Sequence, residues 1–511
     1  MTTAKFCILL AIIVYLGMML WIGIRFAKQS KNADDFYLGG RKLGPFVTAM
    51  SAEASDMSSW LLMGLPGLAY LTGIADPAWT AIGLAVGTYL NWLIVAKRIR
   101  RYSVLTDSIT APEFFSKRFG DHKNVLRGIA AIVIIIFFVP YTASGFAACG
   151  KLFHSLFGVD YMLAMIVSAI VIVSYTTLGG FLAASTTDMI QSCVMSVALV
   201  VVLGFGVNAA GGLDAVFQNA AALPGYLSMT ATHSVAEGAA HPYGALTIFS
   251  TLAWGLGYFG MPHILLRFMA IGDENKLKVS RRVATSWVVI SMCVAVCIGV
   301  VGLAMTGAGV VPELQGAGSE TIIVQIAGLI AQHGTLAALV AGVILAGILA
   351  ATMSTADSQL LAASSSISKD LMHGLFKIKM SGKQDMLVAR LSLVVIAVVA
   401  VFLARDPNSS VFAIVSFAWA GFGAAFGPVV LFALFWRRAN QWGALAGMIS
   451  GGAMVFIWKF LIRPLGGVFD IYELLPAFLL NCVVLVIVSL ITSAPEKEVV
   501  ETFDEYRAMS K

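Results

Sequence analysis

Three stretches of the sequence carry oxygen-bearing side chains inside otherwise apolar runs. Ser51 to Gly67 reads SAEASDMSSWLLMGLPG and holds Glu53 and Asp56, with Ser51, Ser55, Ser58 and Ser59 around them. Leu349 to Ser366 reads LAATMSTADSQLLAASSS and holds Ser354, Thr355, Asp357 and Ser358. Trp254 to Pro262 reads WGLGYFGMP, with Gly255, Gly257, Gly260 and Pro262 set among Trp254, Tyr258 and Met261. In the second stretch Ala351, Ser354, Thr355 and Ser358 recur at three and four residues, which places them on one helix face. A hard cation such as Na⁺ takes several oxygen ligands, and small residues let it reach backbone carbonyls. Hydroxyls from this helix and carbonyls from a broken one would make a weak, reversible cation site. The competing reading is that Ser and Thr bond back to their own helix.

The acids narrow the chemistry. An Asp at the centre of a membrane helix costs about 2.5–3.5 kcal/mol on insertion scales. Glu53, Asp56 and Asp357 lie in such windows with no intramembrane Lys or Arg evident as partner, so a bound cation or a proton is the simplest compensation. Asp188 falls at the expected start of a span, closer to water, where an acid also suits the helix dipole. His263 is solitary. No nucleophile–base pair or metal motif lies in the spans, and no G-x-x-x-x-G-K-[ST] loop is present, which argues against an enzyme and against ATP-driven transport by this chain alone.

These residues need elements that interrupt a membrane helix. Glycine weakens a helix and proline removes a backbone donor, so Ser51–Gly67 and Trp254–Pro262 predict local unwinding in the second and seventh spans. A spacing of five spans points to a transporter of two inverted five-helix repeats. Irregular backbone survives at that depth only where it lines a cavity or binds something. The alternative is that the glycines permit close helix packing.

The rest of the chain has the composition of such a protein. Of 511 residues, 59% are hydrophobic and 12% charged, too little charge to cover a soluble surface. Thirteen spans are expected, at 5–27, 43–72, 76–97, 125–150, 160–179, 188–211, 243–270, 283–307, 320–368, 386–404, 409–436, 442–462 and 473–493. The ninth window is too long for one span and should include a short helix before the membrane and an extension after it. Twenty-eight of the 33 Lys and Arg fall on one side, Arg267 among them, leaving Lys5, Lys151, Arg405, Lys459 and Arg463 on the other. By the positive-inside rule the N-terminus is outside and the C-terminus cytoplasmic, in a plasma membrane. The segment from Gly211 to Gly244 has no Lys or Arg, as an external loop should. Residues 1–495 read as one membrane domain and 496–511 as a short cytoplasmic tail. Phe6 to Ile24 is too long for a cleaved signal and is followed by a basic stop. The six cysteines lie in or beside apolar runs and read as core residues.

At these residues the sequence resembles the sodium:solute symporter family and, within it, the bacterial sodium/proline symporters. The likeness rests on LGGRKLGP (Leu38 to Pro45), SDMSSWLLMGLPG (Ser55 to Gly67), WGLGYFGMPHI (Trp254 to Ile264), MSTADSQLL (Met353 to Leu361) and AWAGFGAAFGPVVLF (Ala418 to Phe432). The resemblance implies an all-α, LeuT-type fold. Five-plus-five inverted repeats would cover about 43–211 and 243–436, with one added N-terminal and two added C-terminal helices. It implies symport of Na⁺ with a small amino acid, proline foremost. Its sodium site would take the backbone oxygens of Ala54, Met57 and Ala351 and the hydroxyls of Ser354 and Thr355, with Asp56 the acid needed for sodium-dependent transport. Ser58, Trp60, Gly64, Tyr141, Trp254, Tyr258 and Pro262 would line the substrate cavity. Glu53 and Ser59 stand where the proline carriers have glycine, and Met261 where they have glutamine beside the substrate wall. Asp357 falls where a relative with a second sodium site has a hydroxyl, and Asp188 matches an acid there. Glu53, Asp188, Asp357 and Ser358 are therefore expected to form a second cation or proton site. Another small amino acid or a monocarboxylate, or proton coupling, is the nearest alternative; a membrane sensor is the alternative of another class. The partners expected are the small solute and the bilayer, with no nucleic acid and no obligate protein.

Overall fold

Where no water reaches the backbone, a chain satisfies its amides and carbonyls by folding as helices, and the apolar runs do so here. The computed structural model describes residues 2–27, 33–235 and 237–509. Lys28, Lys31 and Lys511, counted above on the basic side, lie outside the described residues. Ten helices among the described residues are long and apolar enough to cross a membrane: Thr3–Phe26, Ala75–Leu105, Val125–Phe157, Tyr161–Ala209, Glu274–Gly307, Thr335–Leu375, Gly382–Leu403, Val411–Phe435, Gln441–Leu465 and Leu474–Ile491.

The departures from the thirteen expected windows are local. The fifth and sixth windows form one element, Tyr161–Ala209, broken at Gly180 (φ 63°, ψ −160°). That left-handed backbone suits glycine, and a Cβ there would lie 2.7 Å from the Phe36 ring. Asp188 follows two turns after the break and is fully buried, not near water as expected. The second and seventh windows are broken into shorter pieces, Pro45–Asp56 with Trp60–Thr72, and Ala245–Gly260 with Pro262–Ala270. The ninth window holds Ile322–Ile330, then Thr335–Ser365, which runs on into Ser366–Leu375. The segment from Gly211 to Gly244 is not wholly helical: Ala231–Ser234 pairs antiparallel with Ala239–Pro242.

Helices Thr335–Leu375 and Val411–Phe435 are the most enclosed, with 72% and 83% of their apolar windows buried, against 28% for Gln441–Leu465. The polar stretches of the sequence therefore sit at the centre, and the last two spans lie on the periphery. Around the start of Val411–Phe435, Glu320 accepts hydrogen bonds from the Val411 and Phe412 amides and the Ser410 hydroxyl, and Lys151 pairs with it at 2.8 Å. A carboxylate at a helix N-terminus meets the positive end of the dipole.

At the other end, the last segment is more than a charged tail. Lys497–Ala508 is a helix whose Val499, Phe503 and Tyr506, spaced four and three apart, are buried. The Phe503 ring lies 4.6 Å from the Arg118 guanidinium, which donates to the carbonyls of Ala433 (2.6 Å) and Trp436 (3.1 Å). Arg437 pairs with Asp504 at the rim (2.8 Å).

Candidate functional site

The helix beginning at Pro45 stops at Asp56. Past the stop, the Ser58 amide donates to the Asp56 carbonyl and the Leu61 amide to the Ser58 carbonyl. The carbonyls of Ala54 and Met57 thereby lose the amides four residues on. The Ser354 hydroxyl donates to the Ala54 carbonyl (2.7 Å) and contacts the Ala351 carbonyl at 3.1 Å. Thr355, one residue on, is buried and its hydroxyl has no hydrogen-bond partner among the described residues. Ala54, Ala351 and Ser354 are thus in direct contact, with Met57 at the break and Thr355 on the same helix face. Backbone carbonyls plus two hydroxyls are a donor set that suits a hard monovalent cation and not a soft metal.

The Asp56 carbonyl is already occupied: it accepts from the Trp60 indole (3.1 Å) and the Tyr141 hydroxyl (3.2 Å) as well as from the Ser58 amide. The Asp56 carboxylate accepts from the Tyr258 hydroxyl at 2.6 Å, and its other oxygen, Oδ1, has no hydrogen-bond partner among the described residues. Asp56, Ser58, Trp60, Tyr141 and Tyr258 therefore converge from three elements. Ser59 is buried beside them, and its hydroxyl has no hydrogen-bond partner among the described residues.

The aromatic wall continues outward. Trp60 faces Trp254 (centroids 6.1 Å apart), which also meets Phe412 (5.5 Å), Trp419 (6.1 Å) and Tyr472 (5.1 Å). Trp419 donates its indole N–H to the Trp254 carbonyl (2.8 Å) and meets the Tyr258 ring edge-on. Gly64 joins the group through Phe412: a Cβ there would stand 3.0 Å from the Phe412 Cβ. Phe412, Trp419 and Tyr472 escaped the sequence reading as site residues; Trp419 lies within AWAGFGAAFGPVVLF, quoted only for the resemblance.

Residues 253–260 form a tight 3₁₀ turn rather than α-helix, and Met261 is extended before Pro262 opens the next helix. Both readings of the glycines hold at once. Gly257 and Gly260 admit Trp419 and the Phe422 carbonyl, and Gly255 lies against Gly83 and Gly87 of the third span, backbone to backbone. Met261 and Pro262 are buried at the exit of the turn. His263 beyond them is fully buried with neither ring nitrogen partnered among the described residues.

The four residues expected at a second site do not all meet. Asp188, Asp357 and Ser358 come together around Arg267. Its guanidinium pairs with Asp188 (3.1 Å) and donates to Ser358, to the Ser51 hydroxyl (3.0 Å) and to the His263 carbonyl (3.0 Å). Ser51 also donates to Asp188 (2.6 Å), while Asp357 accepts from Tyr175 (2.7 Å) and Ser358 (3.0 Å). This corrects the expectation that no intramembrane base is available: Arg267, placed with the cytoplasmic charges by its neighbours in sequence, is 1% exposed inside the bundle. Glu53 lies apart, accepting from the Trp92 indole (2.9 Å).

A family model described as the sodium:solute symporter family matches residues 36–451. The chain belongs to that family. As a sodium:solute symporter it has near-full-length relatives. It is 42% identical over 492 residues to the osmoregulated proline transporter OpuE of Bacillus subtilis, covering 96% of each chain. It is 41% identical over 506 residues to a sodium/proline symporter of Haemophilus influenzae, covering 97% of each. Among solved structures, a Na⁺-coupled sialic acid symporter in a substrate-bound outward-open state matches with a TM-score of 0.78 at 19% identity, over 96% of this chain and 99% of that one. MHP1, a nucleobase-cation-symport-1 family transporter, matches with a TM-score of 0.55 at 14% identity, over 92% and 98%. The symporter thus shares the fold of LeuT-type carriers, is multi-pass in the membrane, and uses Na⁺ as its coupling ion.

Proposed function

We propose that this symporter carries L-proline inward with Na⁺ by alternating access. The observation that supports this best is the Ala54–Ser354–Ala351 contact at the helix break, two residues from the Asp56–Tyr258 bond. Na⁺ bound by the oxygens of Ala54, Met57, Ala351, Ser354 and Thr355 ties the second span to the ninth and shapes the adjoining cavity. Asp56 and the hydroxyls of Ser58, Tyr141 and Tyr258 face the zwitterion, and Trp60 and Trp254 its apolar ring. Gly64 and Pro262 set the backbone that carries these walls, and Ser59 and Met261 tune which solute fits. Coupling requires that Na⁺ raise affinity for the solute, and by linkage the solute raises affinity for Na⁺ equally. A potential of 100 mV adds about 2.3 kcal/mol per charge carried across.

Tyr161–Ala209 counts as two crossings divided at Gly180, and each broken helix counts as one, which makes thirteen. On that reading the termini lie on opposite sides, and the skew of Lys and Arg supports an N-terminus outside and a C-terminus cytoplasmic, with inverted repeats at about 43–211 and 243–436 within one membrane domain. Asp188, Asp357 and Ser358 already share one cation, the Arg267 guanidinium, and act as a tie between the inner halves of the broken helices.

The test is uptake of labelled proline into proteoliposomes under an inward Na⁺ gradient, with a panel of competing amino acids and monocarboxylates. Accumulation that requires Na⁺ and is lost in Asp56→Ala supports the reading. Folded protein that accumulates another solute but not proline overturns the choice of cargo and leaves the sodium site standing.

A further inference from the structure

Tyr472 joins the aromatic wall from outside the segments read as repeats. It lies at the end of the loop between the last two spans, Gln441–Leu465 and Leu474–Ile491, and it is 7% exposed. Its ring stacks on the Trp254 indole, with 5.1 Å between centroids and 22° between planes. Of the four rings around Trp254 it is the nearest and the most nearly parallel. Phe412 lies 5.5 Å away at 39°, Trp60 6.1 Å at 30° and Trp419 6.1 Å at 33°. Stacked aromatic pairs have a preferred geometry, so each ring restricts the tilt of the other.

The tyrosine is held at both ends. Its backbone N–H donates to the Ser250 hydroxyl, and its own hydroxyl donates to the Ser416 carbonyl at 2.7 Å. Ser250 stands four residues before Trp254 in the seventh span. Ser416 lies on Val411–Phe435, three residues before Trp419, whose indole N–H holds the Trp254 carbonyl at 2.8 Å. Tyr472 therefore bridges the two elements that set the place of Trp254. The last span adds a second contact at the unwound turn: a Cβ at Gly423 would lie 2.8 Å from both the Gly257 Cα and a Leu474 methyl carbon.

The loop itself is tied by charge. Glu473, the next residue, is fully buried. Its carboxylate pairs with Arg463 at 3.2 Å and lies 3.7 Å from the Lys459 ammonium. Arg463 also pairs with Asp470 at 2.9 Å. Apolar packing would hold a loop end at less cost, because desolvation cancels much of the attraction in a buried pair. A pair with directed hydrogen bonds does hold its residues in one arrangement, and Tyr472 is the neighbour that inherits it.

We propose that Tyr472 is a specificity-determining residue of the solute site. It acts as a positioning residue: by backing the Trp254 indole it sets how large an apolar group the site admits, and Glu473, tied to Arg463 and Lys459, keeps it there. This rests on the reading that Trp254 faces the solute, and deepens it. The last two spans then take part in choosing the cargo without touching the coupling ion, since Ser250, Trp254 and Ser416, which Tyr472 meets, are not among the sodium ligands. Removing the phenol frees the indole to tilt and enlarges the apolar end of the site. A solute one methylene larger than proline then gains on proline, by about tenfold, the low end of what a methylene is worth in an apolar pocket.

The test is uptake by the full chain in proteoliposomes, under an inward Na⁺ gradient, of proline and of pipecolate, its homologue with one more ring methylene. The maximal rate and half-saturating concentration are measured for each, and the ratio of the two efficiencies is read. In Tyr472→Ala that ratio is expected to move toward pipecolate by about tenfold, chiefly through a higher half-saturating concentration for proline. Tyr472→Phe keeps the stacked ring and is expected to stay within about twofold of wild type. Damage to the fold alone lowers the maximal rate for both solutes alike and leaves the ratio where it was. An unmoved ratio in Tyr472→Ala, or a ratio in Tyr472→Phe moved as far as in Tyr472→Ala, overturns the proposal. If Tyr472→Ala does not fold, Glu473→Gln takes its place: a shift in the same direction is expected, and an unmoved ratio overturns the proposal. A wrong choice of cargo shows in the wild type, which then accumulates neither solute; the ratio is taken instead between the amino acid or monocarboxylate that is accumulated and its next larger homologue.

Discussion

Replacing Arg267 by methionine keeps most of the side chain's volume and removes its charge. The guanidinium is 1% exposed and makes four polar contacts, to Ser51, Asp188, Ser358 and the His263 carbonyl, with the Phe181 ring 5.2 Å away. The direct attraction across 3.1 Å is about 5 kcal/mol at an effective dielectric of 20, but desolvation offsets much of it. The informative quantity is the cost of leaving Asp188 alone, about 3–5 kcal/mol for a broken buried pair. Asp188→Asn in the same background discharges the orphaned acid, so the double variant should recover most of the loss, with a coupling energy of about 2–3 kcal/mol. Arg267→Lys should fall between, because an ammonium keeps the charge but cannot span Asp188 and Ser358 as a planar fork does. The assay is thermal unfolding of the purified protein, with uptake measured in parallel. If Arg267→Met is as stable as wild type, or the double variant no more stable than the single, Arg267 does not hold Asp188 as described.

Four further outcomes are expected. Thr355→Ala should raise the Na⁺ concentration for half-maximal uptake by about tenfold, the loss of one good ligand contact, while Thr355→Ser should restore it; a Na⁺ titration of uptake checks this. Gly257→Ala would put a Cβ 2.0 Å from the Trp419 indole nitrogen and break its bond to the Trp254 carbonyl, so uptake should collapse, whereas Gly204→Ala, with nothing within 4 Å, should leave it intact. Phe503→Ala should cost about 3–5 kcal/mol of docking and expose the Lys497–Ala508 helix to limited proteolysis. The hydrogen bond from His122 to Glu496 holds the imidazole's pKa above its ordinary value. The favourable contribution of that pair is therefore fully present below the ordinary histidine pKa and lost as pH rises through the raised one, and a histidine titration should return to the ordinary value in Glu496→Gln.

The break in the second span was legible because Glu53, Asp56 and the serines cannot sit in an uninterrupted lipid-facing helix. The ninth span declared its polar face through the three-and-four spacing of Ala351, Ser354, Thr355 and Ser358. Arg267 was misplaced for a definite reason: Lys276, Lys278, Arg281 and Arg282 follow it closely, and a count of basic residues cannot see that its own helix, Pro262–Ala270, is buried on every side. Asp188 was misplaced because Gly179 and Gly180 read as the end of one span, whereas the helix is interrupted at Gly180 alone and resumes at once. The partners of Glu53 and Asp56, Trp92 and Tyr258, come from other spans, and pairings at that separation leave no periodic trace. The docked final helix hid behind its charge, since its buried side is only Val499, Phe503 and Tyr506 among acids and bases.

The contact between the third span and the unwound turn of the seventh, made by Gly83, Gly87 and Gly255, has a mechanical consequence. A Cβ at any of the three would come within 2.6 Å of a backbone oxygen opposite, so the two surfaces touch without interlocking teeth. Interdigitated helices must climb over one another's ridges to slip; a smooth contact has no such ridges and resists only being pulled apart. Along the glycines themselves shear is therefore cheap and separation is not, so a glide of the unwound turn on the third span has mainly to release the hydrogen bond from Asn91 to the Tyr258 carbonyl (3.0 Å). A single methyl group at Gly87 would act there as a wedge, jamming the glide by forcing the bearing surfaces open.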